Sequence, residues 1–108
     1  MRACAAWGLT ALAVLAAVPA GAREPGDPVE GRAVAQEWCS ECHDVEPGGA
    51  FKLDPPAFAA IAVYRTNEYI RANILYPHEG MPEVAKVFGL NVDDLVAYIR
   101  SIEDTARR

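Results

Sequence analysis

Apolar residues recur three and four positions apart near the end of the chain: Val92, Leu95, Ile99 and Ile102, with Tyr98 beside them. That spacing puts side chains on one face of a helix and predicts an amphipathic helix with one buried stripe. Asn91 supplies its N-cap, Asp94 three positions later completes a capping box, and Leu90 and Leu95 form a hydrophobic staple across the entrance. Upstream, Asp27-Pro28-Val29-Glu30 repeats the start signal: Asp27 caps, Pro28 suits the first helical position and Glu30 closes the box. A first helix is expected from there to about Cys42. Pro55-Pro56 opens a short apolar segment over 58–64, and Thr66 caps a helix that Pro77 must end, because proline lacks the amide hydrogen and clashes with the preceding turn. Residues 45–55 and 77–82 carry Gly, Pro and charge and read as loops. No stretch sustains period-two alternation, and neither a βαβ unit nor an internal repeat is present. The fold class is all-α, with substantial loops.

Residues 1–22 are of a different kind. Met1-Arg2 leads into an Ala-rich apolar run, broken only by Gly8 and Thr10, which meets Pro19 and ends in Ala20-Gly21-Ala22. This is the layout of a secretory signal, with small residues at the cleavage position. Removal after Ala22 is expected, leaving one domain over 23–108 in the periplasm with no stable membrane insertion. The competing reading is an uncleaved anchor, since the apolar run is near the lower limit of about 17 residues for a spanning helix. Cys4 is discarded with the signal. The formal net charge of −5, or −6 without Arg2, repels phosphate backbones and excludes a nucleic-acid partner. A domain this small buries only about 60 to 65 per cent of its unfolded surface, so a disulfide, metal or cofactor is expected to staple the core.

The staple is written in Cys39-Ser40-Glu41-Cys42-His43, the spacing of covalent c-type haem attachment. On a helix advancing about 100° per residue, Cys42 lies about 60° and His43 about 40° from Cys39, so all three side chains leave one face. Two thiols can form thioethers with one porphyrin while the adjacent imidazole reaches its iron. A redox dithiol would need a helix opening after a strand, whereas this pair follows a capped helix. A structural zinc site would have to use Cys39, Cys42, His43 and His78, two of them adjacent, against the usual ligand spacing. A plain disulfide would close too short a loop to constrain much and would leave His43 unexplained.

The chain resembles a class I cytochrome c, a small monohaem electron carrier, over 31–102. Gly31 stands eight residues before Cys39, where that family places a small residue so that the first and last helices cross closely. Leu95 and Tyr98 resemble its packing pair on the last helix, and Met81-Pro82 occupies the position of its axial methionine. The resemblance implies the small cytochrome c fold, with N- and C-terminal helices crossing and haem in the core. It also implies that Pro56, or else Pro55, accepts a hydrogen bond from the proximal imidazole through its carbonyl, with Phe58 covering the haem. Ala35 stands where the family usually has an aromatic, for which Trp38 would have to compensate. Only Lys52 and Lys86 remain as lysines, so the lysine ring of mitochondrial relatives is missing. Arg65 and Arg71, flanking the middle helix, are candidates to neutralise a propionate.

Met81 is the methionine that remains once Met1 is removed, in a Pro-bounded loop where packing rarely calls for a flexible thioether. With haem attached upstream it is the expected sixth ligand, with His78, three residues away, as the rival. The expected function is a periplasmic single-electron carrier and not an enzyme: one covalent haem c held by Cys39 and Cys42, its iron ligated by His43 and Met81. Its partners are a redox donor and acceptor, with a periplasmic dehydrogenase as a candidate for either a transient or a dedicated association. The alternative is a haem c gas sensor or small haem enzyme with an open or labile sixth position.

Overall fold

The computed structural model describes residues 3–5, 8–14, 25–48, 51–78 and 80–106. The cleavage position expected after Ala22 lies outside them. Five helices are present among the described residues: α1 (Pro28–Trp38), α2 (Phe58–Tyr64), α3 (Asn67–Leu75), α4 (Val84–Phe88) and α5 (Val92–Ala106). The architecture is all-α. The regions 45–55 and 77–82 contain no helix among the described residues, as their composition dictates.

The expected stripe on α5 is buried, with Leu95, Ile99 and Ile102 each no more than 2 % exposed. Burial extends further than one stripe, through the continuous run of Leu95, Val96, Ala97, Tyr98 and Ile99. The reason is that α1, α2 and α3 all lie against α5, which makes it the central column of the fold. The crossing with α1 is closest at Gly31. A Cβ there would lie 2.9 Å from the Tyr98 Cβ and well inside contact distance of the Asp94 carbonyl oxygen. Glycine is required because backbone meets backbone.

Capping follows the sequence in part. Asp27 accepts from the Val29 N–H, Thr66 from the Tyr69 N–H, and Asn91 from the Asp94 N–H. Neither capping box closes as expected. The Asp27 N–H donates to Asp94 Oδ1 at 2.8 Å, so a carboxylate from the crossing helix takes the place assigned to Glu30. The first helix also stops at Trp38, four residues short of Cys42. The Ser40 hydroxyl donates to the Gln36 carbonyl at 2.5 Å, and the Ser40 N–H reaches back five residues to Ala35. A serine hydroxyl competing for an i−4 carbonyl in this way takes the acceptor that helix propagation needs. Helix α4 is too short to leave a periodic signal, and it ends in a left-handed Gly89 at φ +62°. Trp38 does not replace the missing aromatic in the crossing: its ring stacks on Phe88 of α4, centroids 4.4 Å apart, while Ala35 fills its own place fully buried.

Candidate functional site

Cys39, Cys42 and His43 lie in the turn that follows α1, not on the helix itself. The turn keeps a helical hydrogen-bond pattern, since the Cys42 and His43 N–H groups both donate to the Cys39 carbonyl, at 3.2 and 2.9 Å. The side-chain grouping expected from a continuous helix therefore survives its early end. All three residues line a cavity of about 700 Å³, together with Met81 and His78. That volume falls within the range of about 300–1,000 Å³ found for small-molecule and cofactor sites. The walls are mainly apolar, with Trp38, Phe58, Ile70, Val84 and Leu95 representing α1 to α5 in turn.

A residue of the cavity wall, Pro56, orients His43. Its Nδ1 lies 2.7 Å from the Pro56 carbonyl oxygen. A carbonyl only accepts, so Nδ1 carries the hydrogen and Nε2 keeps its lone pair for a metal. Of the two prolines that the resemblance allows, Pro56 holds the imidazole. Its loop is fixed by Ala57 N–H to the Lys52 carbonyl and Phe58 N–H to the Asp44 carbonyl, both 2.9 Å, and the Asp54–Pro55 bond preceding it is cis. Phe58 lies beside the imidazole, ring centroids 5.6 Å apart. One turn further on, the Tyr98 hydroxyl donates to the Val45 carbonyl at 2.6 Å and ties the segment after His43 to α5.

Elsewhere in the cavity lining, the Met81 N–H donates to the His78 carbonyl at 3.2 Å. Gly80, just before Met81, has φ +95°, a backbone conformation that favours glycine. His78 Nδ1 lies 2.8 Å from Asn73 Oδ1. Asn73, which also lines the cavity, went unnoticed in the sequence because nothing distinguishes it from any helical asparagine.

The two thiols differ. Burial pushes the Cys39 thiol up to about 11, whereas Cys42 is exposed. Among the described residues no group of three His, Cys, Asp or Glu side chains is arranged to hold a metal ion, which argues against the zinc reading. Two thiols, an imidazole with a free Nε2 and a thioether around one apolar cavity are the donors that a covalently held haem c uses.

Of the two candidate arginines, only Arg65 lines the cavity, its guanidinium 4.5 Å from the centre of the Tyr69 ring. Arg71 does not line it and pairs with Asp93 at 2.7 Å, so its expected role toward a propionate is withdrawn. Among the described residues no helix is long and apolar enough to cross a membrane.

The family model described as cytochrome C oxidase, cbb3-type, subunit III matches residues 26–99, about two thirds of the chain. The matched span contains Cys39, Cys42, His43 and Met81. Comparison with curated proteins and with solved structures gives no match.

Proposed function

The chain belongs to the cytochrome C oxidase, cbb3-type, subunit III family of small c-type cytochrome domains with covalently attached haem c, and on that premise we propose that it is a periplasmic single-electron carrier. In this reading Cys39 and Cys42 would hold one haem through thioethers, and His43 and Met81 would supply the nitrogen and sulfur donors to its iron. The haem supplies the one-electron couple; the chain supplies orientation, ligand field and shelter.

The observation that carries this reading is the bond from His43 Nδ1 to the Pro56 carbonyl, 2.7 Å long, in a cavity that Met81 also lines. A bond of that kind fixes the ring and raises the basicity of Nε2. The Met81 thioether is a soft donor and raises the potential relative to a second imidazole. Were both donors engaged, the iron would offer oxygen or peroxide no coordination site, which favours electron transfer.

The acidic balance of the chain supports a partner with a basic docking surface, attracted by a complementary field that salt screens. A periplasmic dehydrogenase fits as donor, either in passing contact or with this chain as its haem-bearing subunit. Residues 1–22 act as the export signal in this reading.

The test is a mass measurement joined to an optical and redox titration. A mature mass equal to residues 23–108 plus one haem is expected, with a long-wavelength methionine-to-iron band in the ferric state and a ferrous form inert to carbon monoxide. Absence of that band from the unsubstituted protein overturns Met81 ligation, and rapid carbon monoxide binding turns the reading toward a gas sensor.

A further inference from the structure

We propose that His78 is a reserve axial ligand, an imidazole oriented in advance beside the same cavity, which takes the iron when Met81 leaves it. The inference rests on the His43/Met81 reading above and concerns how that site responds to loss of its sulfur.

The tautomer of His78 is set by a two-step chain of hydrogen bonds from α3. Asn73 Nδ2 donates to the Tyr69 carbonyl at 2.8 Å. Since a carbonyl cannot donate, the amide nitrogen must face Tyr69 and the amide oxygen must face away. That oxygen lies 2.8 Å from His78 Nδ1, so Nδ1 carries the hydrogen and Nε2 keeps its lone pair. His43 has the same arrangement, with the Pro56 carbonyl in place of Asn73. His78 is exposed, yet its ring is held by an acceptor of the kind that orients a metal-ligating histidine.

The position of His78 is equally specific. His78 and Met81 are the first and fourth residues of one turn, closed by the Met81 N–H to the His78 carbonyl, and both line the cavity. The first and fourth Cα atoms of a β-turn lie within about 7 Å of each other. Gly80, at φ +95°, is the residue best able to absorb a change in that turn. Exchange of sulfur for nitrogen thus needs only a local rearrangement between two neighbouring donors. The exchange keeps the iron six-coordinate and lowers its potential, because imidazole favours the ferric state more than a thioether does.

The experiment uses the holoprotein with Met81→Leu, which nearly conserves volume, and with Met81→Ala as a second variant; the thioethers retain the haem in both. Each is expected to be low-spin in the ferric state, to lack the methionine band and to have a lower potential than the unsubstituted protein. Adding His78→Ala should give a high-spin protein that binds carbon monoxide rapidly. Adding Asn73→Ala instead should lower the concentration of external imidazole needed to displace the internal ligand by roughly 10–100-fold, the usual effect of losing an outer partner of a ligating histidine. If Met81→Leu and Met81→Ala are already high-spin, and bind carbon monoxide as fast as with His78→Ala, the inference is overturned. The two readings fail separately: an unsubstituted protein without the methionine band refutes His43/Met81 ligation, while one with the band and an open Met81→Leu variant refutes only the reserve ligand.

Discussion

Asp94 of α5 accepts the backbone N–H of Asp27 through Oδ1 at 2.8 Å, while the Asp27 carboxylate accepts from Val29 N–H at the same distance. The start of α1 is therefore capped from two helices at once. Asp94 can reach it because Gly31 brings the α5 backbone into contact with α1, so capping and crossing depend on one another.

Two substitutions separate these contributions. Asp94→Ala removes a capping acceptor and should cost about 0.5–2 kcal/mol. Gly31→Ala forces a methyl group against the Asp94 carbonyl and should cost about 1–3 kcal/mol or more. For a domain of this size each kcal/mol lowers the melting temperature by roughly 4–8 °C, readable by circular dichroism of the holoprotein. The double variant should depart from additivity because the two sites share a contact. A Gly31→Ala protein that melts with the unsubstituted one would refute the tight crossing.

Burial, as the main cause, raises the Tyr98 phenol above its ordinary value of 10.0, and the nearby Glu46 carboxylate adds to the effect. Its hydroxyl donates to the Val45 carbonyl. The folded chain therefore holds the proton more tightly than the unfolded chain. The associated stability is fully present below pH 10.0 and is lost as pH rises from there through the raised folded value. Tyr98→Phe leaves a buried carbonyl unsatisfied and should cost about 1–3 kcal/mol at neutral pH. Thermal melts across the alkaline range should also show a shallower decline in this variant; an unchanged decline would assign it to other groups.

What was legible in the sequence is what depends on near neighbours along the chain. The buried positions of α5 follow from the spacing of Leu95, Ile99 and Ile102, because helical period and burial are there the same fact. The grouping of Cys39, Cys42 and His43 was legible for a similar reason, even though α1 ends before them. Relationships across the chain were not. Nothing local announces that Asp94 will displace Glu30 at Asp27, that Trp38 will stack on Phe88, or that Arg71 will be paired with Asp93. Helix α4, with five residues, is shorter than two turns and cannot display a period.

Pro56 gives a way to test the imidazole without touching a ligand. Pro56→Ala keeps the carbonyl that accepts from His43 but frees the backbone that aims it. A weaker bond to Nδ1 makes Nε2 a poorer donor to ferric iron, so the potential should rise while the methionine band remains. A tenfold loss of preference for the ferric form corresponds to about 59 mV in a one-electron couple. A stability loss of about 0.4–1 kcal/mol from the more flexible unfolded chain should accompany it. A potential that stays fixed while stability falls would restrict Pro56 to a structural role.

The cavity itself predicts what happens when no haem is attached. Without haem, the mainly apolar walls of this cavity of about 700 Å³ stand open to water, and their burial is lost from the stability of the domain. Whole domains are typically stable by only about 5–15 kcal/mol. The walls must therefore either collapse or come apart, and collapse is hindered because all five helices contribute to them. Helix α5, with 15 residues, is near the length of about 12–15 residues at which an isolated helix is marginal in water. A Cys39→Ala/Cys42→Ala chain made without attached haem should accordingly show weak helical circular dichroism, no cooperative melt and rapid proteolysis. A sharp thermal transition in that chain would mean that the packing of α1 on α5 suffices to hold the fold, and that haem is accommodated by a protein already formed.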